Sequence, residues 1–332
     1  MKELIRQLTI PSGPSGYEAP VKEVIHTLVQ PYVDEVYDDA LGNLYAVKRG
    51  ASGPAAKTIL LAAHMDEPAL SVIDIDDQGF LRVAPLGPLR ASTLGGARVI
   101  FARTGRRGIV GAEHGVAQKD LDFSHLFVDI GAISLDDARE HVRIGDAATF
   151  AYGFDEVGAD LIVGHALDNR VGCAVLVEAL KRTHSGYTIA AVFSAQQEVG
   201  SRGARVAGQR IHPDAALVLD VSPVGDTPKS ERLALTLGGG PGIKALDATM
   251  VVAPKVRDMI VDAARLADVP YQIEVSPRTA SDAGALFLSR EGIPTGGIVV
   301  PARYVGTPSQ MVHLRDVEQT VTLLTAYLGQ LQ

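Results

Sequence analysis

Residues 58–67 read TILLAAHMDE. The run from Ile59 to Ala63 carries no polar side chain and is too short for a buried helix, so it reads as a strand covered on both faces. It ends on His64, with Asp66 and Glu67 just beyond. Three later stretches repeat the pattern of an apolar run closed by a potential ligand: GHALDNR at 164–170, AAVFSAQQE at 190–198 and AALVLDVSP at 215–223. They offer Asp168, Glu198 and Asp220. In an open α/β sheet, ligands gather just beyond the carboxyl ends of the strands. The spacing therefore predicts a sheet whose strand ends carry a metal site.

The rest of the chain fits an α/β protein with an insertion. Apolar residues at helical spacing mark a short helix near Leu4, Ile5 and Leu8 and a second over 18–30. Residues 33–48 alternate and turn at Gly42-Asn43, which predicts a strand pair. From 69 to 155 the texture changes to short alternating strands separated by Gly, Pro and Asp, with one helix in SLDDAREHV. That stretch reads as a small β-barrel or sandwich set into another domain. After 168 helices and strands alternate again. Strands are expected at 188–194, 215–220 and 296–300, and helices after Asp168 and over 255–267, 282–290 and 314–329. The division is an α/β domain from 1–68 and 156–332, with a mostly parallel sheet between helices, interrupted by a β domain at 69–155.

Bulk composition narrows the function. The chain has 332 residues, 46% hydrophobic and 21% charged, with a formal net charge of −8. An acidic chain lacks the clustered Lys and Arg of a nucleic-acid surface. The single cysteine, Cys173, gives no disulfide framework and suits a reducing compartment. The opening MKELIRQLTIPSG has no uninterrupted apolar core, and no apolar run is long enough to span a membrane. A cytoplasmic protein is expected, with neither nucleic acid nor membrane as partner.

One imidazole with carboxylates is a donor set for Zn²⁺ or Co²⁺ rather than for Mg²⁺ or Ca²⁺ alone. A bridging carboxylate would allow a two-metal hydrolytic centre. Asp66 is placed to hold the His64 ring in one tautomer, with Glu67 and Asn169 as further partners. Singly, each residue has a blander reading. His64 could be a satisfied core histidine, Asp168 a helix cap, and Glu198 and Asp220 solvated strand ends. The ordered set favours chemistry.

Ten short motifs, in order, carry a resemblance to a known group. They include PSGYE at 14–18, DALGN at 39–43, AAHMDE at 62–67, ALDNR at 166–170, QEVGSRGA at 197–204, DVSPVGDTP at 220–228 and PARY at 301–304. The chain resembles the metallo-aminopeptidases of peptidase family forty-two, the glutamyl and tetrahedral aminopeptidases. The resemblance implies removal of N-terminal residues from short peptides, an inserted β domain used in dimerisation, and assembly to dimers and dodecamers. It implies His64, Asp168 and Asp220 as ligands of one metal, Asp168 as the bridge, Glu198 on a second metal, and Asp66 as the acid that orients His64.

Two matching positions differ from the pattern. The family's general-base glutamate is Gln197 here, and a carboxamide takes up no proton near neutral pH. The family's second-metal histidine is Gly306. His165 and His313 are the candidate substitute ligands, His165 being nearer in sequence to Asp168. One bound ion rather than two is expected. Three functions follow: an impaired or altered aminopeptidase, a non-catalytic peptide-binding or scaffold homologue, and a metal-dependent hydrolase of another acyl-amino substrate.

Overall fold

A computed structural model describes residues 1–331. Helices α1 (Lys2–Thr9) and α2 (Ala19–Val29) come first and bury Leu4, Ile5 and Leu8, and Val21, Ile25 and Val29. Both sets fall at helical spacing, so each helix presents one apolar stripe. Strands β1 (Glu35–Asp38) and β2 (Leu44–Lys48) pair antiparallel. Their turn closes because the Asp39 carboxylate accepts from the backbone N–H of Leu41, Gly42 and Asn43, with Gly42 at φ +104°. Strand β3 (Thr58–His64) is buried from Ile59 to its end.

Six strands then form a closed barrel: β4 (Ala69–Ile75), β5 (Leu81–Leu86), β6 (Arg98–Phe101), β7 (Arg107–Ala112), β8 (Leu126–Asp129) and β9 (Ala147–Phe150). Helix α3 (Leu135–His141) follows β8, its N-terminus capped by the Ser134 hydroxyl, which accepts from Asp137 N–H at 3.2 Å. The barrel has a core of its own, built on Leu70, Val72, Leu81, Val99, Phe101 and Val128.

The chain returns to the large sheet with β10 (Asp155–Val157) and β11 (Leu161–Gly164). There follow α4 (Leu167–Arg182), β12 (Thr188–Ser194), α5 (Arg202–Ile211), β13 (Ala215–Pro223), β14 (Gly242–Asp247) and α6 (Pro254–Leu266). The last elements are β15 (Gln272–Ser276), α7 (Asp282–Phe287), β16 (Thr295–Arg303), β17 (Gln310–His313) and α8 (Leu314–Gly329). The main path of the sheet runs β1-β2-β12-β3-β13-β16-β17-β11-β10, with β14 on β16 and β15 on β14. Its centre, β12-β3-β13-β16, is parallel, and antiparallel strands extend it on both sides. Along β3, Ile59, Leu61 and Ala63 share one core with α1, α2, α4, α6 and α8. Leu60 and Ala62 meet the cluster under α5 and α7 on the other face. This is the period-two division of a strand covered on both sides. Among the described residues, no helix is long and apolar enough to cross a membrane.

Two elements differ from the sequence reading. Sequence periodicity gives no helix over 202–211, yet α5 forms there. Its Gly203 and Gly208 lower intrinsic propensity, but a Cβ on Gly208 would stand 2.4 Å from Ser289 Oγ, so glycine permits α5 to pack against the end of α7. Helix α7 stops at Phe287 rather than 290. The chain reverses through Gly292 at φ +98°, and Ile293 N–H donates back to the Phe287 carbonyl at 3.1 Å.

Candidate metal centre

The parallel register sets the site. β3 delivers His64 level with Ser194 of β12, and β13 carries Asp220 beyond the paired stretch on the other flank. The start of α4 supplies Asp168. This first turn is irregular: the backbone at Asp168 is extended, with φ −83° and ψ 105°, and the regular helix begins after Asn169. Asn169 does the capping: its Oδ1 accepts from Gly172 N–H at 3.1 Å, while its Nδ2 donates to the Leu219 carbonyl at 2.9 Å. The cap role weighed for Asp168 thus falls to its neighbour. The Asp168 carboxylate is left free, and α4 is tied to β13 beside Asp220.

The three side chains converge. His64 Nε2 lies 3.4 Å from Asp168 Oδ1 and 3.6 Å from Asp220 Oδ1. One donor atom from each of His64, Asp168 and Asp220 falls within 4.8 Å of the other two. Asp168 Oδ1 is buried and accepts no hydrogen bond. On the other side of the ring, Nδ1 faces two acceptors of Asp66, the main-chain oxygen at 3.2 Å and Oδ1 at 3.4 Å. Both need a proton on Nδ1, which turns the Nε2 lone pair toward the two carboxylates. Asp66 is itself fixed: it accepts from Gln197 N–H, Glu198 N–H and the Ser15 hydroxyl at 3.0, 3.1 and 2.6 Å.

The electrostatics describe crowded, buried carboxylates around one imidazole. Burial pulls the His64 imidazole down, but Asp168, Asp220 and Asp66 outweigh it and hold its pKa well above 6.5. Burial raises the Asp168 carboxyl, with His64 opposing and Asp220 adding to the rise. Burial raises Glu198 strongly, His64 again opposing. A buried polar oxygen without a partner normally costs stability, and a divalent ion here would satisfy it.

The surrounding cavity holds about 480 Å³. Ser201, which lines it, is in the left-handed region at φ 50°, as are Ala166, Gln196 and Tyr304, each within two residues of a lining residue, at φ 55°, 55° and 64°. Such strain in non-glycine residues collects where side chains must be aimed.

Residues 42–323 match the M42 glutamyl aminopeptidase family. A putative aminopeptidase of Acetivibrio thermocellus is 40% identical over 98% of this chain and 97% of its own. The chain belongs to the M42 aminopeptidases. The lysyl aminopeptidase of Pyrococcus furiosus is 32% identical, covering 99% of this chain and 97% of its own. Among solved structures, an aminopeptidase from Desulfurococcus kamchatkensis superposes with a TM-score of 0.94 at 36% identity, over 99% of this chain and 94% of that one. A peptidase of Pyrococcus horikoshii, described as assembling into a tetrahedron or a large octahedral shell, gives 0.88 at 28% identity, covering 99% of each.

The remaining site residues of this M42 chain separate. Glu198 and Gln197 line the cavity, but Glu198 stands outside the tight three-residue cluster. Gly306 also lines the cavity, at φ +78°. His165 is turned away: its Nδ1 donates to the Tyr152 carbonyl at 2.8 Å, and its Nε2 faces Glu67 Oε2 at 3.9 Å. His313 caps α8, accepting from Arg315 N–H at 3.2 Å, and lines a different cavity beside Arg303. Neither histidine belongs to the three-residue cluster. Glu67 likewise serves the scaffold, accepting from Gly13 N–H and pairing with the fully buried Arg170. Cys173 donates to the His64 carbonyl, and burial pushes its thiol up to about 12, so it offers no thiolate.

Two participants escape the sequence reading. Ser15 on Asp66 lies within the PSGYE motif but has no local signal of contact with a strand end. Gln310, whose Oε1 accepts from Asp168 N–H at 2.7 Å, is 142 residues from its partner and has none at all.

Proposed function

We propose that the chain is a metal-dependent aminopeptidase of short peptides that works with one strongly bound Zn²⁺ or Co²⁺. The observation that carries this is the cluster of His64, Asp168 and Asp220, with the Asp168 oxygen lacking a partner. A divalent cation held there supplies a Lewis acid that polarises the scissile carbonyl and lowers the pKa of water. Asp66 keeps the His64 proton on Nδ1. Glu198 has no imidazole opposite it, because Gly306 provides no side chain, so its carboxylate is left to receive the substrate's N-terminal ammonium. Gln197 orients water by hydrogen bonds and accepts no proton. Loss of a general base typically lowers rate by roughly 10²–10⁴-fold, so turnover is slow. After chelation, adding Zn²⁺ or Co²⁺ should produce hydrolysis of an aminoacyl arylamide panel. No turnover across the panel would refute the activity.

A second reading is a non-catalytic peptide binder. It draws on Gln197 and Gly306, two departures on one side of the centre, and predicts peptide binding with no turnover.

The barrel, in the inserted segment 69–155, serves as a self-association surface between copies in this reading. Ile73, Ile109, Ile133 and Ile144 are exposed there, Ile133 by 88%, and related peptidases build shells. A cytoplasmic location fits the single buried cysteine.

A further inference from the structure

The cavity has a basic side supplied by the barrel. Of the four residues after β5, three meet the catalytic domain or its cavity and one anchors the segment in the barrel. Gly87, at φ +93°, packs on Glu198, whose Oε2 would be 3.1 Å from a Cβ there. The Pro88 carbonyl lies against Gly306. Leu89 is buried in the barrel core, and Arg90 lines the cavity. The backbone carrying Arg90 is firmly held. Leu89 and Ala91 on either side are buried, and the Arg90 carbonyl accepts from both Thr93 N–H and Thr93 Oγ1, at 3.0 and 2.8 Å.

The Arg90 guanidinium forms no hydrogen bond or ion pair among the described residues. The other guanidinium of the cavity, Arg278, is paired with Glu231. The acidic residues of the cavity wall are Asp168, Glu198 and Asp220. Arg90 presents an unpaired guanidinium to the same cavity, and a lysyl side chain reaching it would meet a like charge.

We infer that Arg90 is a specificity-determining residue that receives a carboxylate of the substrate. This deepens the aminopeptidase reading and rests on it. A guanidinium presents a planar fork that matches a carboxylate, and the held backbone fixes where the Arg90 side chain starts. The carboxylate comes either from an acidic N-terminal side chain or from the free C-terminus of a dipeptide.

The test compares wild type, Arg90→Ala and Arg90→Lys, metal-loaded, on two matched pairs. One pair is glutamyl against glutaminyl arylamide, and the other is Ala-Ala against its C-terminal amide. In at least one pair, wild type should favour the carboxylate, and Arg90→Ala should cut that kcat/KM ratio at least tenfold, with Lys falling between. The pair that responds names the source. A smaller change in both ratios overturns the inference. The same ratios are read as Kd by calorimetry with L-glutamate against L-glutamine and with the two dipeptides. If turnover is absent but the Kd ratio collapses in Arg90→Ala, the catalytic reading fails and the carboxylate site stands. If turnover is absent and neither Kd ratio moves tenfold, the site fails as well.

Discussion

The carbonyl oxygen of Pro88 stands 3.1 Å from the position a Cβ on Gly306 would occupy. Pro88 belongs to the barrel side of the cavity and Gly306 to the loop after β16, so the two meet where the resemblance to family forty-two implies a histidine. Gly306 is also at φ +78°. The loop is therefore shaped around glycine and is more than a histidine loop missing its side chain.

Restoring an imidazole at that point should accordingly be unfavourable. Gly306→Ala is expected to lose about 1–2 kcal/mol, the usual cost of a left-handed non-glycine residue, and Gly306→His at least as much. Denaturant melts of both variants check this. Equal stability of Gly306→His and wild type would show that the wall yields.

Position 197 should behave differently. The Gln197 backbone N–H is held by Asp66 at 3.0 Å, so Gln197→Glu alters the side chain without disturbing its anchor. A gain in kcat/KM of roughly 10²-fold or more is expected, together with a new acidic limb in the pH–rate profile. A flat response would place residue 197 out of reach of the attacking water.

Asp168→Asn removes the oxygen that lacks a partner. Cation affinity by calorimetry should fall at least 100-fold. At free Zn²⁺ near 100 times Kd, the wild type should gain about 2.7 kcal/mol from the ion, and the variant should gain little at the same concentration. Cation-free, the variant should be no less stable than the wild type, because one of several crowded carboxylates is gone.

The same crowding fixes a pH dependence. The folded pKa of His64 is raised above 6.5. Its contribution to cation-free stability is complete below 6.5 and is lost as pH rises through the raised value. Cation binding must displace that proton, so Zn²⁺ affinity should climb with pH across the neutral range. Titration calorimetry in buffers of different ionisation enthalpy should record proton release. No release would place the ion on other donors.

Asp282 offers a second pH test, at a buried carboxyl that is not itself one of the clustered ligands. It is fully buried, and burial raises its carboxyl to about 6, partly opposed by the His64 charge and the Ser194 hydroxyl, which donates at 2.5 Å. A raised acid binds more protons folded than unfolded between 3.8 and about 6. Stability is therefore lost as pH rises across that window, by about 3 kcal/mol for such a shift. Cation-free Asp282→Asn should gain stability relative to wild type between pH 4 and 7, as followed by urea melts. A constant difference would mean that Asp282 titrates normally.

Much of this is legible in the chain because two periodicities differ so clearly. The apolar run before His64 and the alternating strands after residue 69 separate the sheet from the barrel without reference to any contact. His64, Asp168 and Asp220 each end an apolar run, so topology alone brings them to one edge. Contacts that depend on tertiary shape are not legible. Nothing near Gln310 announces a bond to Asp168, and nothing near Pro88 announces Gly306. In the sequence His165 is the better substitute-ligand candidate and His313 the lesser one, and only the Tyr152 carbonyl and the α8 N-terminus show how their ring nitrogens are used. Helix α5 is hidden because Gly208 serves packing against Ser289, and Gly203 packing against Asn43 and Ala195, at the expense of propensity.

The central claim is tested most directly by anomalous scattering from crystals of the protein loaded with Zn²⁺. The account predicts one strong peak at the ends of β3 and β13, bonded to His64, Asp168 and Asp220. Absence of a peak there, or a full ion elsewhere and none on His64, would contradict it.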